Sequence, residues 1–452
     1  MKAREELILL AWNDLVGITR GRGIPLAAYA ERKKLGINWA MAGHALTPFE
    51  DIADNPWGAL MEAQMLPDPS TRVRVEIAKG YPPLGFVLCD GYNLDGTVWD
   101  SCTRGFYRAA LQNLEKETSL RFNSSPELEF SLLGASLPKT TPFSLEAFRL
   151  VPDFALRCIE ALRQAGTEPE TFEPEYGINQ FEVSCHPAIG IAAADRIVIV
   201  KEVIREVARR AGYRASFTPK IALDRPGNGA HVHFSLQSKD GKPATYDPSR
   251  PGGLSEKAGQ FAAGIVRHTP AICAFSAPTP PSYLRLGPQH WSSGYACLGF
   301  NNREASLRIC PPPKGDAARM RRLYNLEYRP VDSTSSPYLV LGLLVRAGLQ
   351  GIREKLPMPE LQTEDPHDLD AEERRKMGVA ALPGTLTEAL NTLEQDKLVK
   401  SWFSDNLWNA YISVKRKEVD MFKNAPAEEI MQAMVRQAEE ILKRKAPAWA
   451  SA

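Results

Sequence analysis

A chain of 452 residues is long enough for more than one domain, or for one large catalytic domain with a smaller partner. Hydrophobic residues make up 44% of it and charged residues 24%, a balance that excludes a disordered or fibrous chain. The formal net charge of +1, with no interleaving of aromatic and basic residues, argues against a nucleic-acid footprint and points to a small substrate.

Cys89, Cys102, Cys158, Cys185, Cys273, Cys297 and Cys310 are odd in number and scattered without a C-x-x-C pair, so they read as reduced, mostly buried thiols. The opening Met1-Lys2-Ala3-Arg4-Glu5-Glu6 and the short apolar stretch 7–12 do not read as a signal peptide. The longest apolar run, 338–345, is stopped by Arg346 before membrane-spanning length. These features predict a cytoplasmic protein without membrane or nucleic-acid partners.

Over the first hundred residues, short β-like runs at 7–12, 17–25, 72–77 and 86–89 predict a small sheet-rich domain. The turn-rich stretch 91–97 precedes a helical pattern at 104–118, placing a boundary near residue 100, with domains 1–100 and 101–452. Helical spacing recurs at 153–165, 192–211 and 255–273, while 128–133, 180–184 and 231–236 alternate as strands, so the second part is α+β. Pro and Gly cluster at 279–294 and 311–315, marking long loops of the kind that carry function. The tail 427–445 reads as an amphipathic, solvated or subunit-packing helix.

Glu127 and Glu129 stand two apart in a strand, which sets both carboxylates on one face while Leu128 and Phe130 face the core. A solvated strand face also produces this pattern. Glu175 and Glu182 flank a glycine-containing bend, and four glutamates converging from two strands would supply the oxygen ligands that Mg²⁺ or Mn²⁺ prefers; a surface hairpin is the alternative. In Gly227-Asn228-Gly229-Ala230-His231-Val232-His233 the two histidines share a strand face, so one can ligate metal and the other reach a phosphate, with glycines that let backbone approach a ligand. Arg285, Arg303, Arg308 and Arg329 lie beside the loops, and guanidinium forks suit carboxylates and phosphates as well as ordinary ion pairs.

In this order, residues 67–71, Glu127-x-Glu129, Glu175 to Glu182, the Gly-x-Gly-x-His-x-His stretch, Ser282-Tyr283-x-Arg285, Asn302-Arg303-x-Ala305 and Glu327-x-Arg329-x-x-Asp332 resemble the glutamine synthetase superfamily over nearly the whole chain. The resemblance implies an N-terminal β-grasp domain and a larger catalytic domain with an antiparallel sheet flanked by helices. It also implies a homo-oligomer of stacked hexameric rings, typically a dodecamer, with each site between subunits. By the same matching, Glu129, Glu175 and Glu182 hold one divalent ion, while Glu127, His231 and Glu327 hold a second nearer the nucleotide. His233 belongs to the ATP site, Arg285 and Arg329 grip glutamate, and Arg303 with Arg308 steady the transferring phosphate. The implied chemistry is ATP-dependent phosphorylation of the glutamate side-chain carboxylate, followed by attack of an amine.

Departures from the family pattern bear on the acceptor. Trp291 stands where ammonia-using members carry a glutamate that closes the site, and Ala42 falls where an N-terminal aspartate is normally presented. Losing both carboxylates disfavours a small hydrated cation, and an indole adds apolar area and a stacking face, which predicts an organic primary amine as acceptor. An aryl amine, neutral at physiological pH, or a short alkyl amine suits such a pocket; a polyamine would need new carboxylates, for which Glu50 and Asp51 are candidates. Asn325 replaces an arginine and Pro226 an asparagine of the family pattern, and 382–386 holds no tyrosine. An ammonia-using glutamine synthetase and a non-catalytic relative that keeps only the ring are the competing expectations.

Overall fold

The computed structural model describes residues 5–134, 137–313 and 315–443, with side chains as far as residue 435. Residues 1–4, residue 314 of the second predicted loop and residues 444–445 of the predicted tail helix lie outside the described residues. Six strands form the first sheet: β1 (Leu7–Asn13), β2 (Thr19–Pro25), β3 (Ile37–Ala40), β4 (Glu62–Pro67), β5 (Val73–Val75) and β6 (Leu84–Tyr92). The sheet is mixed, ordered β2-β1-β6-β4-β3 with β5 also on β6, and β1 runs parallel to β6. Strand alternation explains the burial of Ile8 and Leu10 beside the exposed Leu7 and Leu9. β3 and β4, with the helix Tyr29–Leu35 before them, carry too few regularly spaced apolar residues to announce themselves in the sequence, and the predicted strand 72–77 shortens to the three residues of β5.

An eleven-stranded sheet follows. Its members are β7 (Leu120–Leu133), β8 (Pro169–Pro174), β9 (Gln180–Cys185), β10 (Ala188–Ile189), β11 (Arg214–Ser216), β12 (Val232–Ser238), β13 (Tyr295–Phe300), β14 (Ala305–Cys310), β15 (Asn325–Tyr328), β16 (Leu361–Gln362) and β17 (Ala380–Ala381). The main path is β16-β13-β14-β15-β12-β7-β9-β8. Helices Thr103–Thr118, Ile191–Arg210, Glu256–Ser276 and Pro337–Arg353 pack about it, and Phe122, Phe234 and Phe261 stack between sheet and helix. The fold is α+β, an N-terminal domain with its own sheet joined to a catalytic-type domain whose sheet is flanked by helices. The apolar run at 338–345 lies in a buried helix, and no helix among the described residues is long and apolar enough to cross a membrane.

One buried guanidinium ties the sheets together. Arg104, on the helix that links them, is 2% exposed and donates to both oxygens of Asp195 (3.0 and 2.9 Å), to Asp90 Oδ2 (2.6 Å) and to Asp68 Oδ2 (2.7 Å). Asp68 lies in the 67–71 motif and Asp90 on β6, whereas Asp195 belongs to a helix of the second layer and also accepts from Tyr338 Oη at 2.6 Å. The five-donor fork is the group able to meet three carboxylates at once. Removing one partner of a buried ion network leaves uncompensated charge, so Arg104→Met is expected to cost about 3–5 kcal/mol, read as a lowered urea midpoint.

Candidate active site

Strand register assembles the site before any side chain is considered. Glu129 is opposite Glu182 across β7 and β9, His233 is opposite Glu327 across β12 and β15, and Glu327 is opposite Arg308 across β15 and β14. Just before β12, the His231 carbonyl accepts the Glu127 amide (2.9 Å) and the Gly229 carbonyl accepts that of Glu129 (3.2 Å). Leu128 and Phe130, alternating with the two carboxylates, are fully buried, as the period of a strand requires.

His231 Nδ1 stands 3.8 Å from Glu127 Oε2, 3.7 Å from Glu129 Oε1 and 3.7 Å from Glu327 Oε1. These separations exceed hydrogen bonds and suit donors arranged about a common cation. His233 Nε2 is 3.1 Å from Glu127 Oε1 and 3.9 Å from Glu327 Oε1. Among the described residues, donor atoms that lie within 4.8 Å of one another form two groups, Glu127–Glu182–His231 and Glu127–His233–Glu327. Glu127 is common to both, and His233 joins the second group as a candidate ligand, a grouping distinct from the sets implied by family resemblance. His231 Nε2 is buried without a hydrogen-bond partner.

Charge divides the site into two halves. Burial raises the carboxyls of Glu127 and Glu327, yet His233 and His231 hold the first well below the usual range, and Arg329 with the two histidines holds the second down at about 2. Burial would discharge His233, but the Glu127 carboxylate keeps its imidazole well above the usual value. On the other side, burial and then Glu129 push Glu175 up to about 7, and burial with Glu127, Glu129 and Glu175 pushes Glu182 well up. Carboxylates crowded without a protein cation are the physical signature of a site that needs a metal ion. Oxygen-rich donor groups with one or two imidazoles suit Mg²⁺ or Mn²⁺.

The arginines line the same sheet. Arg308 Nη1 donates to Glu327 Oε2 (2.9 Å), and Arg329, 1% exposed, pairs with Glu327 Oε1 while its Nη2 donates to the Trp291 carbonyl (2.7 Å). Arg285 is buried and donates to the Val331 carbonyl at 2.6 Å. The Nε atoms of Arg285, Arg308 and Arg329 are buried without partners, donors left over for an anionic ligand. Arg303 is exposed in the turn between β13 and β14.

Several positioning contacts escaped the sequence reading. Gln180 Nε2 donates to Glu129 Oε2 (3.1 Å) and to Asn228 Oδ1 (3.0 Å), and the Gly229 amide donates to Glu129 Oε2 (3.0 Å). Asn325 Oδ1 is 2.8 Å from His233 Nδ1, so the departure from arginine gives the ring a neutral orienting partner. A Cβ at Gly227 would lie 2.4 Å from Arg285 Cγ, and one at Gly229 would lie 2.9 Å from His231 Nε2; both glycines make room for site side chains. Trp291 packs edge-on against Tyr176 (centroids 5.7 Å apart), which meets Phe143 at 6.2 Å. Glu50 and Asp51 are exposed in a segment that packs on the region after helix Asp405–Met421 through Phe49 and Phe422, 5.1 Å apart. Ala42 lies in the 3₁₀ turn Met41–Ala45.

Residues 100–434 match the family described as glutamine synthetase, catalytic domain, and residues 2–99 match the glutamine synthetase N-terminal domain. A gamma-glutamylpolyamine synthetase of Streptomyces coelicolor is 32% identical, covering 91% of this chain and 89% of that protein. A glutamine synthetase of Thermococcus kodakarensis is 33% identical over 92% of this chain and 89% of its own length. Among solved structures, one titled as a novel glutamine synthase homolog is 41% identical with a TM-score of 0.89, covering 97% of this chain and 99% of that one. The chain belongs to the glutamine synthetase family of ATP-dependent ligases, which use divalent metal ions and act on glutamate with ammonia or an amine.

Proposed function

We propose that this chain joins the side-chain carboxylate of glutamate to an organic amine, giving a γ-glutamyl amide through γ-glutamyl phosphate. The observation that carries the choice of acceptor is the aromatic cluster of Trp291, Tyr176 and Phe143, whose central ring, Tyr176, follows Glu175 in sequence. An indole with a phenol edge against it offers apolar area and a π face to an alkyl or aryl amine, and withholds the carboxylate that a small ammonium ion would need. The polyamine-directed name of the Streptomyces coelicolor relative supports an amine acceptor; the glutamine synthetases among the relatives keep ammonia as the competing reading.

In this reading Arg285 and Arg329 orient the glutamate carboxylates, and one γ-carboxylate oxygen attacks the terminal phosphorus of ATP as the bond to ADP breaks. Arg303 and Arg308 offset charge on the transferring phosphoryl group, with His233 toward the nucleotide. Divalent ions held by Glu127, Glu129, Glu175, Glu182, His231 and Glu327 would supply Lewis-acid screening of that charge. The amine lone pair then attacks the acyl carbon, the acyl C–O bond breaks with its electron pair leaving on phosphate, and the nitrogen gives up a proton to that departing phosphate. Assembly into stacked hexameric rings in the cytoplasm belongs to the same proposal.

Phosphate release with glutamate, ATP and ammonia, methylamine, longer alkylamines, putrescine or aniline tests the acceptor. An organic amine is expected to exceed ammonia in kcat/KM, and Trp291→Glu is expected to shift that ratio toward ammonia by roughly tenfold or more; a wild-type preference for ammonia sinks the reading.

Metal affinity should depend on pH through Glu175 and Glu182. Both have folded-state pKa values above the unfolded value of about 4.3, so their contribution to stability is complete below that value and is lost as pH rises through the raised folded-state values, about 7 for Glu175, in the metal-free protein. Cation binding displaces those protons. The rise in thermal midpoint on adding Mg²⁺ or Mn²⁺ is therefore expected to grow between roughly pH 6 and pH 8, and Glu182→Gln should flatten that growth. A metal-induced rise that is constant across this range contradicts the assignment.

A further inference from the structure

Trp291 is 59% exposed, so core packing cannot fix its indole; the backbone of loop 287–293 must do so. That backbone is unusual. Gln289, Trp291 and Ser293 have φ of 60°, 52° and 99°, left-handed values that non-glycine residues adopt only when their surroundings over-determine them. The surroundings are specific: Glu304 Oε2 accepts the amide of Gln289 at 3.1 Å and Oε1 accepts that of Trp291 at 3.2 Å. One carboxylate thus spans the turn and satisfies two of its N–H groups with charge-assisted bonds. Ser292 Oγ closes the base of the loop, accepting from the Gly287 amide (3.2 Å) and donating to the Arg285 carbonyl (2.9 Å).

Glu304 is itself anchored. It precedes β14 by one residue; its amide donates to Asn302 Oδ1 (3.0 Å), and Asn302 Nδ2 donates to the Glu364 carbonyl (2.8 Å). Arg308 lies within the strand that Glu304 introduces, so the anchor sits at the edge of the element that carries the phosphate-directed guanidinium. The second polar hold on Trp291, from Arg329 Nη2 to its carbonyl, comes from a residue assigned above to glutamate, and substrate therefore competes for it. The Glu304 bonds are free of that competition.

We propose that Glu304 is a positioning residue that latches loop 287–293 and sets where Trp291 stands over the acceptor pocket. The acceptor half of this inference rests on the amine-ligase reading; the latch itself does not. Without the carboxylate, the left-handed residues lose their reason to persist, the loop samples extended conformations, and the indole leaves the pocket wall. The amine, which arrives last and makes the fewest polar contacts, is the substrate whose binding should fall.

Hydrogen exchange on the full chain, read by mass spectrometry, separates the two halves. In Glu304→Ala, amides within 287–293 are expected to exchange roughly tenfold faster or more, with the rest of the chain unchanged, and Glu304→Gln, which keeps one acceptor oxygen, should fall between. In phosphate-release kinetics the amine KM should rise in the same order, by roughly tenfold for Glu304→Ala, while the glutamate KM and the kcat at saturating amine stay within about twofold. Unaltered exchange in 287–293 overturns the latch and leaves the amine reading intact. Faster exchange with an unmoved amine KM overturns the link from latch to acceptor. A wild-type preference for ammonia, with exchange accelerated as expected, overturns the amine reading and the link to the acceptor while supporting the latch.

Discussion

Like charges forced together on one sheet face are the constraint on which the rest of this structure depends. Glu129 and Glu182 face each other across β7 and β9, with Glu127 and Glu175 close enough to raise Glu182 further. Carboxylates at that density fold only if protons, cations or both accompany them. The closest guanidinium groups lie on one side, where Arg308, Arg329 and His233 surround Glu327. On the opposite side crowding and burial raise the carboxyls of Glu175 and Glu182, and a divalent ion held by the oxygen and imidazole donors would offset that crowding. In the proposed reading catalytic chemistry and folding stability act on the same groups, and Arg104 holds the small sheet against the layer that carries them.

The acceptor side follows a different logic. Its aromatic side chains come from three loops and are half exposed, so they are held by backbone geometry rather than by core packing. Asn179, with φ of 56°, turns the chain after Tyr176, and Gly177 is placed so that a Cβ there would lie 2.4 Å from Gln180 Oε1, the atom that accepts its amide at 2.8 Å. In the proposed reading the metal half is built on strands and the acceptor half on loops, the part of a fold that most readily carries a change of specificity.

Much of the geometry of the proposed metal site was legible because strand alternation is a local rule. Glu127 and Glu129, or His231 and His233, share a face by virtue of spacing alone. Which strands lie beside one another is set by long-range pairing, so the register that sets Glu129 opposite Glu182 could be expected only as a convergence of glutamates from two strands, and the pairing of His233 with Glu327 was not foreseen at all. The glycines before His231 were read as allowing a ligand near the backbone; in the fold they also leave space for Arg285 and for the His231 ring. Glu304, Asn325 and Arg104 carry no periodic signal at all. A carboxylate that accepts backbone amides, an amide that orients a ring and a buried fork among three aspartates look like ordinary polar residues until the chain is folded.

The most direct measurement of the central claim is the number of Mn²⁺ ions bound per chain, followed by electron paramagnetic resonance during titration. Glu127 is common to both donor groups. Two ions per chain are expected for the wild type, and Glu127→Gln should weaken both sites together. Wild-type protein that binds no Mn²⁺ at this cluster, or a Glu127→Gln variant whose two sites titrate as before, contradicts the assembly of these carboxylates and histidines into a metal centre.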